Sequence, residues 1–292
     1  MPILYKIPEC YNLFVVNLEP IDIPSLLRQY GLHPNKSLGQ NFLIDPSALQ
    51  QVVDSSGVSP EDAVLEIGPG LGSLTRLLAV RAKHVVAVEL DASLLPALQQ
   101  VISPFTNVII HQGDILSLDP AKLMESAGYL VIANIPYYIT SALIRHLLES
   151  PCQPERLVLT VQREVAERIC AKPGDMSLLA LSVQVYGSPQ IMARIPAGAF
   201  FPAPQVDSAV VRVDLYPQPR IEPQLLDLFF RLAKAGFSQK RKTLRNALAG
   251  GMHWTSGQAE AYLLAAQIDS KRRAETLSID EWEVLAAAIK FA

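Results

Sequence analysis

The chain has 292 residues, half of them hydrophobic and 18% charged, which suits one large or two modest folded domains and excludes a disordered chain. No run approaches the 18 uncharged apolar residues of a membrane span. A net charge of −3 taken alone argues against a nucleic-acid partner, but residues 54–134 carry nine acids against four bases and residues 190–250 nine bases against four acids. An acidic stretch and a basic one predict two jobs, a small-molecule pocket and a surface for a polyanion, the alternative being a single solvated basic helix face.

The apolar run from Tyr11 to Leu18 lacks a basic flank and a cleavage site, so it does not read as a signal peptide. Cys10, Cys152 and Cys170, odd in number and without C-x-x-C spacing, argue for a reducing compartment and against a disulfide frame or a zinc site. The expected location is the cytoplasm. From about residue 60 strands and helices alternate. Ala63 to Ile67, His84 to Leu90, Asn107 to His111, Tyr129 to Ala133 and Arg156 to Val161 read as strands; Ser73 to Arg81, Ala92 to Ile102, Ser141 to Glu149 and Glu164 to Ala171 read as helices. This alternation predicts an α/β fold with a parallel, doubly wound sheet. Leu178 to Val185 reads as a helix, and Gln190 to Ile195 and Ser208 to Leu215 as late strands at an antiparallel edge. Pro217, Pro219 and Pro223 then mark a linker, followed by short helices at Leu225 to Ala235, Lys240 to Leu248, Ser256 to Ala266 and Ile279 to Ile289. The expected division is an N-terminal arm at 1–20, an α/β domain at 21–216 and a small helical domain at 217–292.

Glu66-Ile67-Gly68-Pro69-Gly70-Leu71-Gly72 joins the first strand to a helix, where glycines permit a tight turn and close approach of a ligand. Its G-x-G-x-G spacing differs from the G-x-G-x-x-G of dinucleotide pockets. Glu89 ends the second strand 21 residues after Gly68, where an acid binds ribose hydroxyls, and Asp114 follows the third strand, within reach of an adenine amino group. The three together suit an adenosine ligand without a pyrophosphate. The fourth strand ends in Asn134-Ile135-Pro136-Tyr137. An exocyclic nucleobase amine is a poor nucleophile because its lone pair is delocalised. The Asn134 side-chain oxygen and the Ile135 carbonyl can accept its two hydrogens and turn the lone pair out of the ring plane. Pro136 lacks an N–H and holds the backbone so that the acceptors converge, and Tyr137 can stack on an extruded base. A second aromatic turn, Phe200-Phe201-Pro202-Ala203-Pro204-Gln205-Val206-Asp207-Ser208, offers a phenylalanine for the other face of the base, and Phe200 and Phe201 fit that part equally.

Taken together, these motifs resemble the S-adenosylmethionine-dependent ribosomal RNA adenine N6,N6-dimethyltransferases, in particular the branch acting on two adjacent adenosines near the 3′ end of small-subunit RNA. Lys36-Ser37-Leu38-Gly39-Gln40-Asn41-Phe42-Leu43 resembles the opening motif of that family, Phe200 to Ser208 its proline loop, and Phe237 to Asn246 its basic helical signature. The resemblance implies a mostly parallel, seven-stranded Rossmann-like methyltransferase sheet with a C-terminal all-helical domain. It implies that Asn41, Leu43, Gly68, Gly70, Glu89, Asp114 and Asn134 bind S-adenosylmethionine, and that Phe200 pairs with Tyr137 as the stacking clamp around the adenine. Arg231, Lys234, Lys240, Arg241, Lys242 and Arg245 would hold RNA phosphates without reading sequence. The implied partner is small-subunit ribosomal RNA in a pre-ribosomal 30S-type particle, and the implied reaction needs no metal. Nothing in the sequence demands a dimer, so a monomer is expected, with no membrane partner.

Three rivals stand beside this reading. The first is a large-subunit adenine N6-methyltransferase of the macrolide-resistance type, against which the Val206-Asp207-Ser208 and Lys240 to Asn246 stretches weigh. A non-catalytic RNA-binding assembly factor would be expected to have lost the glycine turn or the Asn134 to Tyr137 motif, and both are present. A nicotinamide-dependent dehydrogenase is disfavoured by the glycine spacing and by the scatter of His33, His84, His111, His146 and His253.

Overall fold

A computed structural model of the chain describes residues 18–124, 127–134 and 140–290. The N-terminal arm up to residue 17 and the predicted Ile135, Pro136 and Tyr137 lie outside the described residues. The strands are β1 (Phe42–Leu43), β2 (Ala63–Ile67), β3 (His84–Glu89), β4 (Val108–Gln112), β5 (Leu130–Asn134), β6 (Arg156–Gln162), β7 (Gly187–Ile195), β8 (Phe200–Phe201) and β9 (Ser208–Leu215). The longer helices are α1 (Ile23–Gln29), α2 (Pro46–Ser56), α3 (Ser73–Ala79), α4 (Leu95–Ile102), α5 (Pro120–Met124), α6 (Thr140–Leu148), α7 (Arg163–Ile169), α8 (Leu178–Gln184), α9 (Leu226–Phe237), α10 (Leu244–Gly251), α11 (Ser256–Ala265) and α12 (Ile279–Lys290). None is long and apolar enough to cross a membrane.

Seven strands form one sheet in the order β4-β3-β2-β5-β6-β9-β7. Neighbours from β4 to β6 pair in parallel, with Leu65 opposite both Val86 and Val131, and β9 runs antiparallel to β6. The expected mostly parallel, doubly wound sheet is therefore present. β9 is not at the edge, however; β7 occupies that place. Parallel strands must be covered on both faces, which explains their near-continuous apolar sequence. One face carries Val64, Val85, Leu130, Ile132 and Val158, packed by Leu49, Val52 and Val53 of α2 and by Leu74 and Leu78 of α3. Leu65, Val131, Leu157 and Leu159, which point the other way, are equally buried.

The segment before residue 60, where the sequence pattern suggests no element, folds around two capped helices. The Asp22 side chain accepts from the Ser25 amide at the start of α1, and Asp45 accepts from the Ala48 amide at the start of α2. A proline occupies the first turn of each, where its missing N–H costs nothing. Gly57 ends α2 in the left-handed conformation.

The chain divides into two compact units, one comprising the described residues up to Ala166 with Gln190–Leu215, the other Glu167–Pro189 with Tyr216 onward. The second unit is helical. Phe229, Leu232 and Ala233 of α9 pack with Leu244 and Leu248 of α10, Leu263 of α11 and Trp282 of α12. It also draws in α8, whose Ala180 and Leu181 join the same cluster. The helix expected over Lys240 to Leu248 starts later, at Leu244, with Thr243 at its N-cap. Ser238 closes α9 through its hydroxyl on the Ala235 carbonyl, and the Lys242 amide donates to the Gln239 carbonyl, so Lys240, Arg241 and Lys242 occupy a turn between helices.

α9 and α10 approach so closely that a Cβ on Gly251 would lie 2.5 Å from the Ala235 Cβ and 2.7 Å from its Cα. Backbone cannot yield there. Gly251→Ala is expected to destabilise the protein by about 1–3 kcal/mol in urea unfolding. At Gly257 of α11 a Cβ meets nothing within 4 Å, and Gly257→Ala in the same measurement is expected to be neutral or to stabilise by about 0.4–1 kcal/mol.

Candidate functional site

The C-terminal ends of β2, β3 and β5, with the turn that follows β4, open into a cavity of about 310 Å³. β2 is the point from which the strand order runs both ways, and in open α/β sheets such a reversal leaves a crevice for a ligand. Gly68, Gly70, Glu89, Asp114 and Asn134 all line this cavity, and so do Asn41 and Leu43 from the segment before α2. All seven residues implied for the cofactor thus meet in one place.

The turn after β2 is built on positive φ angles, 72° at Gly68, 58° at Gly70 and 85° at Gly72, a backbone path that side chains other than hydrogen resist. It is held from β3. The Glu89 carboxylate accepts from the Gly70 amide at 2.9 Å and, through its other oxygen, from the Asp91 amide at 2.8 Å. Burial pushes the Glu89 carboxyl above its ordinary range, with the Asp91 and Gly70 amides pulling the other way. A residue expected to bind a ribose therefore also shapes the turn, and each of its oxygens keeps a lone pair for a further donor. Asp114 is exposed at the rim, its carboxylate accepting from the Leu116 amide at 2.9 Å.

Glu66, which heads the glycine motif in sequence without an expected role there, also lines the cavity. It is 1% exposed, and its Oε2 has no hydrogen-bond partner. Burial raises its carboxyl to about 8; Thr75 works against this shift and the neighbouring Glu89 adds to it. An orphaned acidic oxygen in a ligand cavity is the signature of a site that awaits a donor or a cation.

Residues 35–43 form a strap at the cavity. Asn35 caps a short 3-10 turn over Lys36–Leu38, and Gly39 ends it at φ 64°. β1 then pairs antiparallel with β8, placing Leu43 opposite Phe200 and Phe42 opposite Phe201. The Asn134 amide donates to the Asn41 carbonyl at 3.1 Å, so strap and β5 touch directly. Phe200 is only 4% exposed and packs among Leu43, Leu49 and Ala199, whereas Phe201 is half-buried. Main-chain pairing with β1 turns the Phe200 ring into the core, so it is not displayed as a free stacking surface.

In the helical unit Lys234, Lys240, Arg241 and Lys242 are exposed and without an ion pair among the described residues. Two of the expected phosphate contacts are engaged elsewhere: Arg245 pairs with Glu260 at 2.8 Å and Arg231 lies 3.8 Å from Asp227.

A family model described as ribosomal RNA adenine dimethylase matches residues 31–290. A "Ribosomal RNA small subunit methyltransferase A" of Dehalococcoides mccartyi is 45% identical over 271 residues, covering 90% of this chain and 93% of its own. One from Alkaliphilus metalliredigens is 39% identical, covering 92% and 96%. Among solved structures, the 23S rRNA methyltransferase ErmE is 26% identical with a TM-score of 0.69, over 86% of this chain and 100% of its own. A dimethyladenosine transferase from Plasmodium falciparum, 24% identical with a TM-score of 0.73 over 86% and 98%, shares the fold.

The Glu66 carboxyl carries a pH signature. Its folded pKa of about 8 lies above the ordinary 4.5, so between these values the folded state holds a proton that the unfolded chain has released. Stability is full below the lower value and is lost as pH rises towards the upper. Glu66→Gln removes this loss. In urea unfolding without ligand, wild type is expected to weaken from pH 5.5 to pH 8 by on the order of a few kcal/mol more than the variant does.

Proposed function

We infer the reaction from one premise, that the chain belongs to the ribosomal RNA adenine dimethylase family: it is an S-adenosylmethionine-dependent enzyme that methylates adenine N6 of small-subunit ribosomal RNA. Two adjacent adenosines near the 3′ end are each methylated twice, on a pre-ribosomal 30S-type particle in the cytoplasm, by a monomer. The small-subunit reading is favoured over a large-subunit one by relatives at 45% and 39% identity against 26% for the 23S enzyme.

The observation that carries the site is the convergence of Glu66, Gly68, Glu89, Asp114 and Asn134 on one cavity. S-adenosylmethionine, when bound, supplies an electrophilic methyl on a positively charged sulfur. Glu89 would accept from the ribose hydroxyls and Asp114 from the adenine amino group. The orphaned Glu66 oxygen suits a ligand that brings cationic groups, and the glycine turn lets the backbone lie against it. Asn41 and Leu43 would close the cavity from the strap.

The target amine would be held at the end of β5. Its two N–H groups donate to the Asn134 Oδ1 and the Ile135 carbonyl, which localises the nitrogen lone pair and aims it at the methyl. Tyr137 would stack on the base, with Phe200 as its counterpart if its ring turns out of the core while the β1–β8 main-chain pairing holds. As the N–C bond forms the amine becomes acidic, so its proton leaves without a strong base and the work lies in positioning. Lys234, Lys240, Arg241 and Lys242 would contact phosphates, with Arg231 and Arg245 joining by exchanging their carboxylate partners.

Methyl transfer from labelled S-adenosylmethionine to undermethylated small subunits, run beside large subunits, tests the reading. The expected product is N6,N6-dimethyladenosine on the small subunit alone, falling about 100-fold or more with Asn134→Ala. Label on the large subunit would move the protein to the resistance type. No label on either, with S-adenosylmethionine still bound, would make it an RNA-binding factor.

A further inference from the structure

We propose that Gln40 is a positioning residue for methyl transfer: it latches the strap of residues 35–43 to Asp91, holds the Asn41 carbonyl against the Asn134 amide, and so sets where the Asn134 Oδ1 points. The inference rests on the reading of Asn134 as the acceptor for the target amine.

Every atom of the Gln40 amide that can bond is used. Its Oε1 accepts from the Asn35 amide at 2.7 Å, closing the strap on itself, and its Nε2 donates to the Asp91 Oδ2 at 2.7 Å. One end of a glutamine amide only accepts and the other only donates, so this arrangement admits a single orientation. Asp91 is a firm anchor. Its Oδ1 accepts from the Ser93 amide and hydroxyl, and its own amide donates to Glu89. Burial works against its charge, yet the hydrogen bonds from Ser93 and Gln40 hold its carboxyl below the usual range.

On the other side of Asn41 the chain enters β1, zipped to β8. Asn41 thus sits between two anchors, with its side chain donating to the Gly39 carbonyl at 3.1 Å and its carbonyl accepting from Asn134 Nδ2 at 3.1 Å. Only the NH2 end of the Asn134 amide can meet a carbonyl, so the oxygen end is turned away from the strap and presented as an acceptor. Release of the Gln40 latch frees the Asn41 carbonyl, and the Asn134 amide then has no reason to prefer that orientation. The chain of contacts also runs from the glycine turn through Glu89 and Asp91 to Gln40, so a ligand on Glu89 bears on the geometry at Asn134.

Gln40→Leu removes both hydrogen bonds, and Gln40→Glu sets a second carboxylate against Asp91. Each is expected to lower the single-turnover rate at saturating S-adenosylmethionine by about 10- to 100-fold, with calorimetric affinity for S-adenosylmethionine falling about tenfold less than the rate. Gln40→Glu with Asp91→Asn exchanges donor and acceptor and is expected to restore the rate to within about threefold of wild type. A second readout is the Asn134 side-chain NH2 pair in a nitrogen–proton correlation spectrum, assigned by its loss in Asn134→Ala. It should shift in both single variants and return in the exchanged pair. Unchanged rates, an unmoved NH2 signal, or an exchanged pair as slow as the single variants would each overturn the proposal. Full activity of Asn134→Ala would instead overturn the reading on which it rests, while the NH2 signal would still report whether the latch orients that amide.

Discussion

The contact between the Glu89 carboxylate and the Gly70 amide is the constraint on which the site depends. It ties the end of β3 to the turn after β2, so that two strand ends act as one rigid edge. The turn needs three left-handed residues within five positions, and such a path persists only where something outside it holds it. A carboxylate that receives two backbone amides does so. The same residue is 6% exposed, and the amides offset its desolvation only in part, so its carboxyl stays above the ordinary range. Glu89 is thereby a structural clamp whose remaining lone pairs face the cavity.

Behind this clamp lies Glu66, an acid without a partner for Oε2. Its burial raises its carboxyl to about 8, and the neighbouring Glu89 adds to that shift. At neutral pH the free protein therefore keeps a proton on Glu66. A ligand carrying positive charge would favour release of that proton and so gain a carboxylate partner inside the cavity. Local stability is given up where the ligand will bind, and the covered sheet behind it supplies the compensation.

Much of this was legible in the sequence. The strands β2, β3, β5 and β6 stand out as apolar runs rich in β-branched residues, and the glycine turn, Glu89, Asp114 and Asn134 each sit at a strand end where chemistry is expected. The limits of that legibility are physical. β1 and β8 are two residues long, too short to show a period, yet they decide that Phe200 packs in the core. α1 and α2 carry caps, Asp22 before Pro24 and Asp45 before Pro46 with Gly57 behind, and apolar sets at i, i+3 and i+4 (Ile23, Leu26, Leu27; Leu49, Val52, Val53), but each set spans little more than one turn, too short to establish a period. Glu66 lies in a strand buried on both faces, where alternation gives no cue about which side chain faces the cavity. The Gln40–Asp91 contact joins residues 51 apart and has no local signal at all. α10 starts at Leu244 and not at Lys240 because Thr243 supplies the extended N-cap geometry, a choice that helix propensity does not make.

The net charge of −3 conceals two kinds of electrostatics that behave differently. Lys240, Arg241 and Lys242 sit exposed on a turn, where their attraction for a polyanion reaches only about 8 Å at physiological ionic strength and weakens with salt. Their place on a turn between helices fits the proposed role of contacting phosphates without regard to base sequence. Glu89 belongs to the opposite regime, buried and weakly screened at the cavity. If the proposed roles hold, the exposed, salt-sensitive charge and the buried acid at the sheet edge would separate capture of a large partner from selection of a small one, and a charge total of −3 reports neither.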